Sequence, residues 1–77
     1  MSYSQINDIE KIKDIMVKIG KDDVITSFEN EIGISWKDAK MKNFYVCGLK
    51  NKAVLYYLDG KYKFGSLVME FDKSLII

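Results

Sequence analysis

A chain built for catalysis needs a poised base, a nucleophile or a set of metal ligands, and this one offers few groups to choose from. It has no His and a single Cys among its 77 residues. Cys47 as a nucleophile would need a base to take its proton, and no imidazole exists to do so. The run Tyr45-Val46-Cys47-Gly48 instead reads as strand, in which a thiol packs as a small hydrophobe. A structural zinc site asks for at least three thiolate or imidazole ligands, more than one Cys can supply. The neighbouring acids Asp22 and Asp23, and Glu29 with Glu31, could in principle share acid and base work, but they sit beside helix signals and fit caps and solvated surface better. Nucleophile-elbow, P-loop, dinucleotide-binding and zinc-protease spellings are missing. No enzymatic activity, metal, cofactor or small-molecule substrate is expected.

A different chemistry is suggested by VLYYLDGKYKFG, residues 54–65, where tyrosines and lysines interleave in what reads as a β-hairpin. Asp59-Gly60 is a strong two-residue turn signal, because a type I′ turn needs positive φ at both central positions. That turn sets Leu58 against Lys61, Tyr57 against Tyr62, Tyr56 against Lys63 and Leu55 against Phe64, and opposed residues share a face. A weaker loop at Lys50-Asn51 sets Val46 against Leu55, Tyr45 against Tyr56 and Phe44 against Tyr57. One face then carries Phe44, Val46, Ala53, Leu55, Tyr57, Tyr62 and Phe64, enough bulk to pack under a helix. The other carries Tyr45, Cys47, Val54, Tyr56, Leu58, Lys61 and Lys63, which is too apolar for a sheet face left to water. Exposed patches of this composition mark contact surfaces, where tyrosine gives large area at low entropic cost. The opposing expectation is that a register slip, or the C-terminal Ser74-Leu75-Ile76-Ile77, covers the face from within the chain.

The elements that must position this face come first in the chain. Ile9, Ile12, Ile15, Met16 and Ile19 follow a helical period. Asn7 with Glu10 spells a capping box, and Gly20 suits a C-terminal cap, so a helix is expected over 7–19. Residues 24–36 fit two patterns. Val24, Ile25, Phe28 and Ile32 suit a second helix, N-capped by Asp22 or Asp23 and stopped by Gly33, which is the preferred reading. Val24, Thr26, Phe28, Ile32, Ile34 and Trp36 also share one parity, so a strand pair turning at Glu29-Asn30 stays open. Ser-Trp-Lys-Asp at 35–38 opens at most a short helical turn, and its Trp36 is expected to plug the junction of helix and sheet rather than anchor a partner. Residues 41–49, 52–58 and 61–71 are strand candidates. The expected fold is α+β, with one or two N-terminal helices on one face of a three-stranded antiparallel sheet, in ααβββ order.

At this length one domain over residues 1–77 is expected, with a marginal core: single small cores rarely supply more than ~3–5 kcal/mol. Disulfides and metals cannot supplement it, which leaves self-association or a partner. The net charge of +1 is uneven. Residues 1–39 hold five Lys against eight acids, and residues 40–77 hold seven Lys against three. The two halves either attract one another within the fold or present the basic one to an anionic partner. All basic residues are Lys, and without the planar fork of Arg, sequence-specific DNA reading is disfavoured. No apolar run approaches a membrane span and no export signal opens the chain, so a cytoplasmic location is expected.

The first functional expectation is a non-enzymatic protein-binding module, a regulator, adaptor or inhibitor, forming a homodimer through its sheet. Its surface would comprise Tyr45, Val54, Tyr56, Leu58, Lys61 and Lys63. The alternative is single-stranded nucleic acid, with bases stacked on Tyr45 and Tyr56 and phosphates met by Lys42, Lys52, Lys61 and Lys63. A helix-turn-helix with a β-wing ranks last, because residues 24–32 are acidic and 36–41 too short. Small chains without catalytic chemistry also occur among phage and mobile-element effectors, an analogy only.

Overall fold

The N-terminal period is realised as helix α1, Ile9–Ile19, in a computed structural model that describes residues 4–59 and 66–76. Ile12, Ile15 and Met16 are buried, Ile19 packs partly, and Ile9 at the first turn is 38% exposed. The N-cap is Asp8 rather than Asn7: its carboxylate accepts from the backbone N–H groups of Glu10 at 3.1 Å and Lys11 at 3.2 Å. A charged acceptor at that place also suits the positive end of the helix. Asn7 has a donor that Asp lacks, and uses it elsewhere. Its amide nitrogen donates to the Phe44 carbonyl at 2.7 Å and the Lys42 carbonyl at 3.1 Å.

The ambiguous second segment is helix α2, Lys21–Ile32, with Val24 and Phe28 buried. The strand-pair alternative is not what the chain adopts. Gly20 alone separates the helices, at φ 123°, ψ 108°, with its N–H bonded to the Met16 carbonyl and its own carbonyl accepting from Val24. Neither Asp22 nor Asp23 is the cap; because α2 starts directly after Gly20, both lie in its first turn, where their charge favours the helix end. The positive φ selects glycine at Gly20, where a Cβ would also press on the Asp23 carboxylate at 3.3 Å. Gly33 ends α2 in the left-handed region, φ 83°, ψ 16°, as its position implied.

Among the described residues the sheet has four strands, one more than expected. These are β1 (Ser4–Ile6), β2 (Phe44–Gly48), β3 (Ala53–Tyr57) and β4 (Ser66–Phe71), in spatial order β1-β2-β3-β4 and antiparallel throughout. Ser-Gln-Ile is too short to carry a period of its own; it becomes a strand by pairing with β2, Gln5 opposite Cys47 and Ile6 opposite Val46. Between β2 and β3 the register is the expected one, Phe44 with Tyr57, Tyr45 with Tyr56 and Val46 with Leu55. Leu49 N–H closes that loop on the Lys52 carbonyl at 2.8 Å, with neither Lys50 nor Asn51 at positive φ.

The β3–β4 register differs from the Asp59-Gly60 expectation. Leu55 pairs with Met69 rather than Phe64, and Tyr57 with Ser66 rather than Tyr62. β3 ends at Tyr57 and β4 begins at Ser66, and Gly60 of the expected turn, with Lys61, Tyr62, Lys63 and Phe64, lies outside the described residues. A bulge falls opposite Leu55 and Tyr56. Val68 is the extra residue; it is buried, while the next residue, Met69, also packs on the core. The Ser27 hydroxyl donates to the Val68 carbonyl, tying α2 to the bulged edge strand.

Both helices lie on one side of the sheet, α1 against β2 and α2 against β4. Their buried residues form one cluster with Phe44, Val46, Ala53, Leu55, Tyr57, Val68 and Phe71. Phe28 is its centre: fully buried, its ring meets Tyr57 at 5.0 Å and 74°, Trp36 at 5.4 Å and 84°, and Phe44 at 5.3 Å. Those edge-on angles suit the quadrupoles of the rings. The Tyr57 hydroxyl accepts the Lys40 backbone N–H at 3.2 Å, which satisfies the polar end of a buried ring.

Candidate docking face

The side of the sheet turned away from the helices is built by the register alone. Gln5, Cys47, Val54 and Glu70 are successive partners across β1, β2, β3 and β4 and so form one row on one face. Tyr45, Tyr56 and Leu67 form the next row across β2, β3 and β4. The centre is apolar and aromatic, and the corners are polar.

Tyr45 and Tyr56 stack, with ring centroids 5.3 Å apart and planes 16° from parallel. The Gln5 amide reaches over β2 and donates to the Tyr56 hydroxyl. At the opposite corner Lys52 and Glu70 form an ion pair at 2.7 Å. Being exposed, that pair adds little stability; its effect is to neutralise charge at the rim. Tyr45, Cys47, Val54, Tyr56 and Leu58 are half-buried, and Leu67 is 48% exposed.

Four of the expected surface residues, Tyr45, Val54, Tyr56 and Leu58, are described. The first three share the two rows, and Leu58 continues β3 one step on, its N–H bonded to the Asn43 carbonyl at 2.8 Å. Lys61 and Lys63 lie outside the described residues. Gln5, Leu67 and Glu70 were missed: Gln5 belongs to the unforeseen strand, and the observed β3–β4 register puts Leu67 opposite Tyr56, where Lys63 was expected, and Glu70 opposite Val54.

Among the described residues the C-terminal turn does not cover this face, and Ile77 lies outside them. Lys73–Ile76 forms a 3₁₀ turn against α1, and Leu75 and Ile76 pack on the core cluster. The short turns Trp36–Asp38 and Met41–Asn43 likewise send Trp36 and Met41 to the core. Trp36 is the plug its position implied, edge-on to Phe28, with the Lys21 ammonium 4.9 Å from its ring centroid and its backbone N–H donating to the Glu29 carboxylate at 2.8 Å. Among the described residues no group of three or more His, Cys, Asp or Glu side chains comes together to hold a metal, and no helix is long and apolar enough to cross a membrane. In comparison with known proteins, the chain matches no family model, no curated protein and no solved structure.

Proposed function

We propose that this chain is a non-enzymatic protein-binding module, a regulator, adaptor or inhibitor that works by laying the outer face of its sheet on another protein surface. The observation that carries this reading is the one-sidedness of the fold. The core-packed side chains of both helices and the short turns lie on one face of the sheet, and the other bears Tyr45, Cys47, Val54, Tyr56 and Leu67 with polar corners. An apolar, aromatic centre with a polar rim is the anatomy of a recognition surface. Affinity capture from the native host tests it. A partner held by the native chain should be lost from Tyr56→Ala and from Val54→Lys, and kept by Lys13→Glu on the exposed surface of α1. Retention by both sheet variants contradicts the reading.

Single-stranded nucleic acid is the second reading, favoured by the stacked Tyr45–Tyr56 pair, which offers ring faces to bases. Weighing against it, Glu70 puts a carboxylate on the same face and holds Lys52, one of the lysines that would meet phosphate. Oligonucleotide binding that falls steeply with added salt would favour it, and no binding at low salt would end it.

A further inference from the structure

We infer that the outer face docks on a second copy of itself, sheet to sheet, about a twofold axis running parallel to the strands. This rests on the reading of that face as a recognition surface and names its occupant. Two in-plane axes could relate facing sheets. An axis across the strands exchanges the rows, setting Cys47 over Tyr45, Val54 over Tyr56 and the Glu70 carboxylate over Leu67. That last pairing strips a charge of water against an apolar side chain, at a cost.

An axis along the strands keeps the rows and exchanges β1 with β4 and β2 with β3. Tyr45 then meets the other copy's Tyr56, Cys47 meets Val54, and the Gln5 amide meets the Glu70 carboxylate. Gln5 has two amide hydrogens, and its bond to the Tyr56 hydroxyl uses one, leaving a donor for that carboxylate. These three pairings are matched in polarity, while Leu67 lies opposite the end of the other copy's β1, where no strand residue shares its row. Symmetry supplies the complement that a foreign surface would need to evolve separately. Aligned sheets cross at about 30°, which keeps the central pairs close and leaves the corners to the longer Gln and Glu side chains.

Area sets the strength. Four strands ~4.8 Å apart and about five residues long at ~3.4 Å each give a footprint of roughly 320 Å² per copy. Doubled, this remains well under the ~1,200–2,000 Å² of stable complexes, so the dimer belongs with weak, reversible contacts. It should form only toward the upper end of attainable concentrations.

Sedimentation velocity on the intact chain, from low micromolar to millimolar, tests this alongside crosslinking with a short bis-maleimide. In the strand-parallel arrangement a sheet separation of ~10 Å and a strand offset of ~4.8 Å set the two Cys47 Cα atoms about 11 Å apart, and the thiols, which point into the gap, lie closer, within that reagent's reach. The expected result is a weight-average mass that rises toward twice the monomer, with a Cys47–Cys47 crosslink appearing over the same range. Val54→Lys should abolish both while circular dichroism stays native. Val17→Lys, at a position 67% exposed on α1, should change neither. A monomer throughout, or a dimer indifferent to Val54→Lys, overturns the inference. Such a monomer would leave the broader reading standing if Tyr56→Ala still released a captured partner. If Tyr56→Ala and Val54→Lys both kept that partner, the broader reading itself would fall.

Discussion

The rings of Tyr45 and Tyr56 face each other across neighbouring strands, 5.3 Å apart and nearly parallel, on the side of the sheet that the helices leave alone. A cross-strand pair of this kind couples by about 0.5–1 kcal/mol. A double-mutant cycle of Tyr45→Ala and Tyr56→Ala, read by urea unfolding, should return a coupling in that range. Tyr56→Phe, which removes only the hydroxyl taken by Gln5, should cost no more than about 1 kcal/mol. A large loss from Tyr56→Phe would mean that the hydroxyl sits in a buried network instead of on a wet face.

Asn7 joins the start of the helical hairpin to the entry of β2 through its two carbonyl bonds. Asn7→Ala should destabilise the fold by about 1–2 kcal/mol. Asn7→Asp should cost more at neutral pH, because a carboxylate would oppose the Lys42 and Phe44 carbonyls. Part of that extra loss should return on acidification, when the protonated acid regains a donor. Denaturation curves at neutral and acid pH check both expectations.

Phe28→Ala removes the ring on which Trp36, Phe44 and Tyr57 converge. Such truncations cost ~3–5 kcal/mol, comparable with all that a core of this size supplies. The variant should be largely unfolded at 25 °C by circular dichroism and near-ultraviolet signal, whereas Phe28→Leu should fold with a lower Tm.

Asp72 opens the C-terminal turn by accepting the Ser74 backbone N–H at 2.9 Å. That bond, with a further one from the Ser74 side chain, lowers its carboxyl pKa below the usual 3.8. A depressed folded-state value stabilises the turn above 3.8, and the contribution is lost as pH falls below 3.8 through the folded value. An NMR titration should place the Asp72 midpoint below the usual 3.8, with the Ser74 amide shifting over the same window. Asp72→Ala should remove that shift and speed amide exchange at Leu75.

Much of this architecture was readable from residue pattern. The periods of α1, the Gly33 stop and the β2–β3 register are local properties, and local chemistry decided them. Three features were not local. Ser4–Ile6 is a strand only because β2 offers it an edge. Asp8 outcompetes Asn7 for the cap because Asn7 is drawn to carbonyls far along the chain. The β3–β4 register follows from a bulge at Val68, whose burial and bond to Ser27 depend on α2 lying over that strand, and no turn dipeptide signals that. The docking face inherited the same division: Tyr45, Val54 and Tyr56 were legible from one well-read hairpin, while Gln5, Leu67 and Glu70 waited on tertiary pairing.

A docking role requires the outer face to be open to water in the single chain, and Cys47, the sole thiol, sits on that face between Gln5 and Val54. Its reaction with an aromatic disulfide reagent at low micromolar protein measures that openness directly. In the native chain the rate should fall within an order of magnitude of the rate in urea. A native thiol that reacts only as fast as the whole molecule unfolds would place Cys47 under cover and contradict the account.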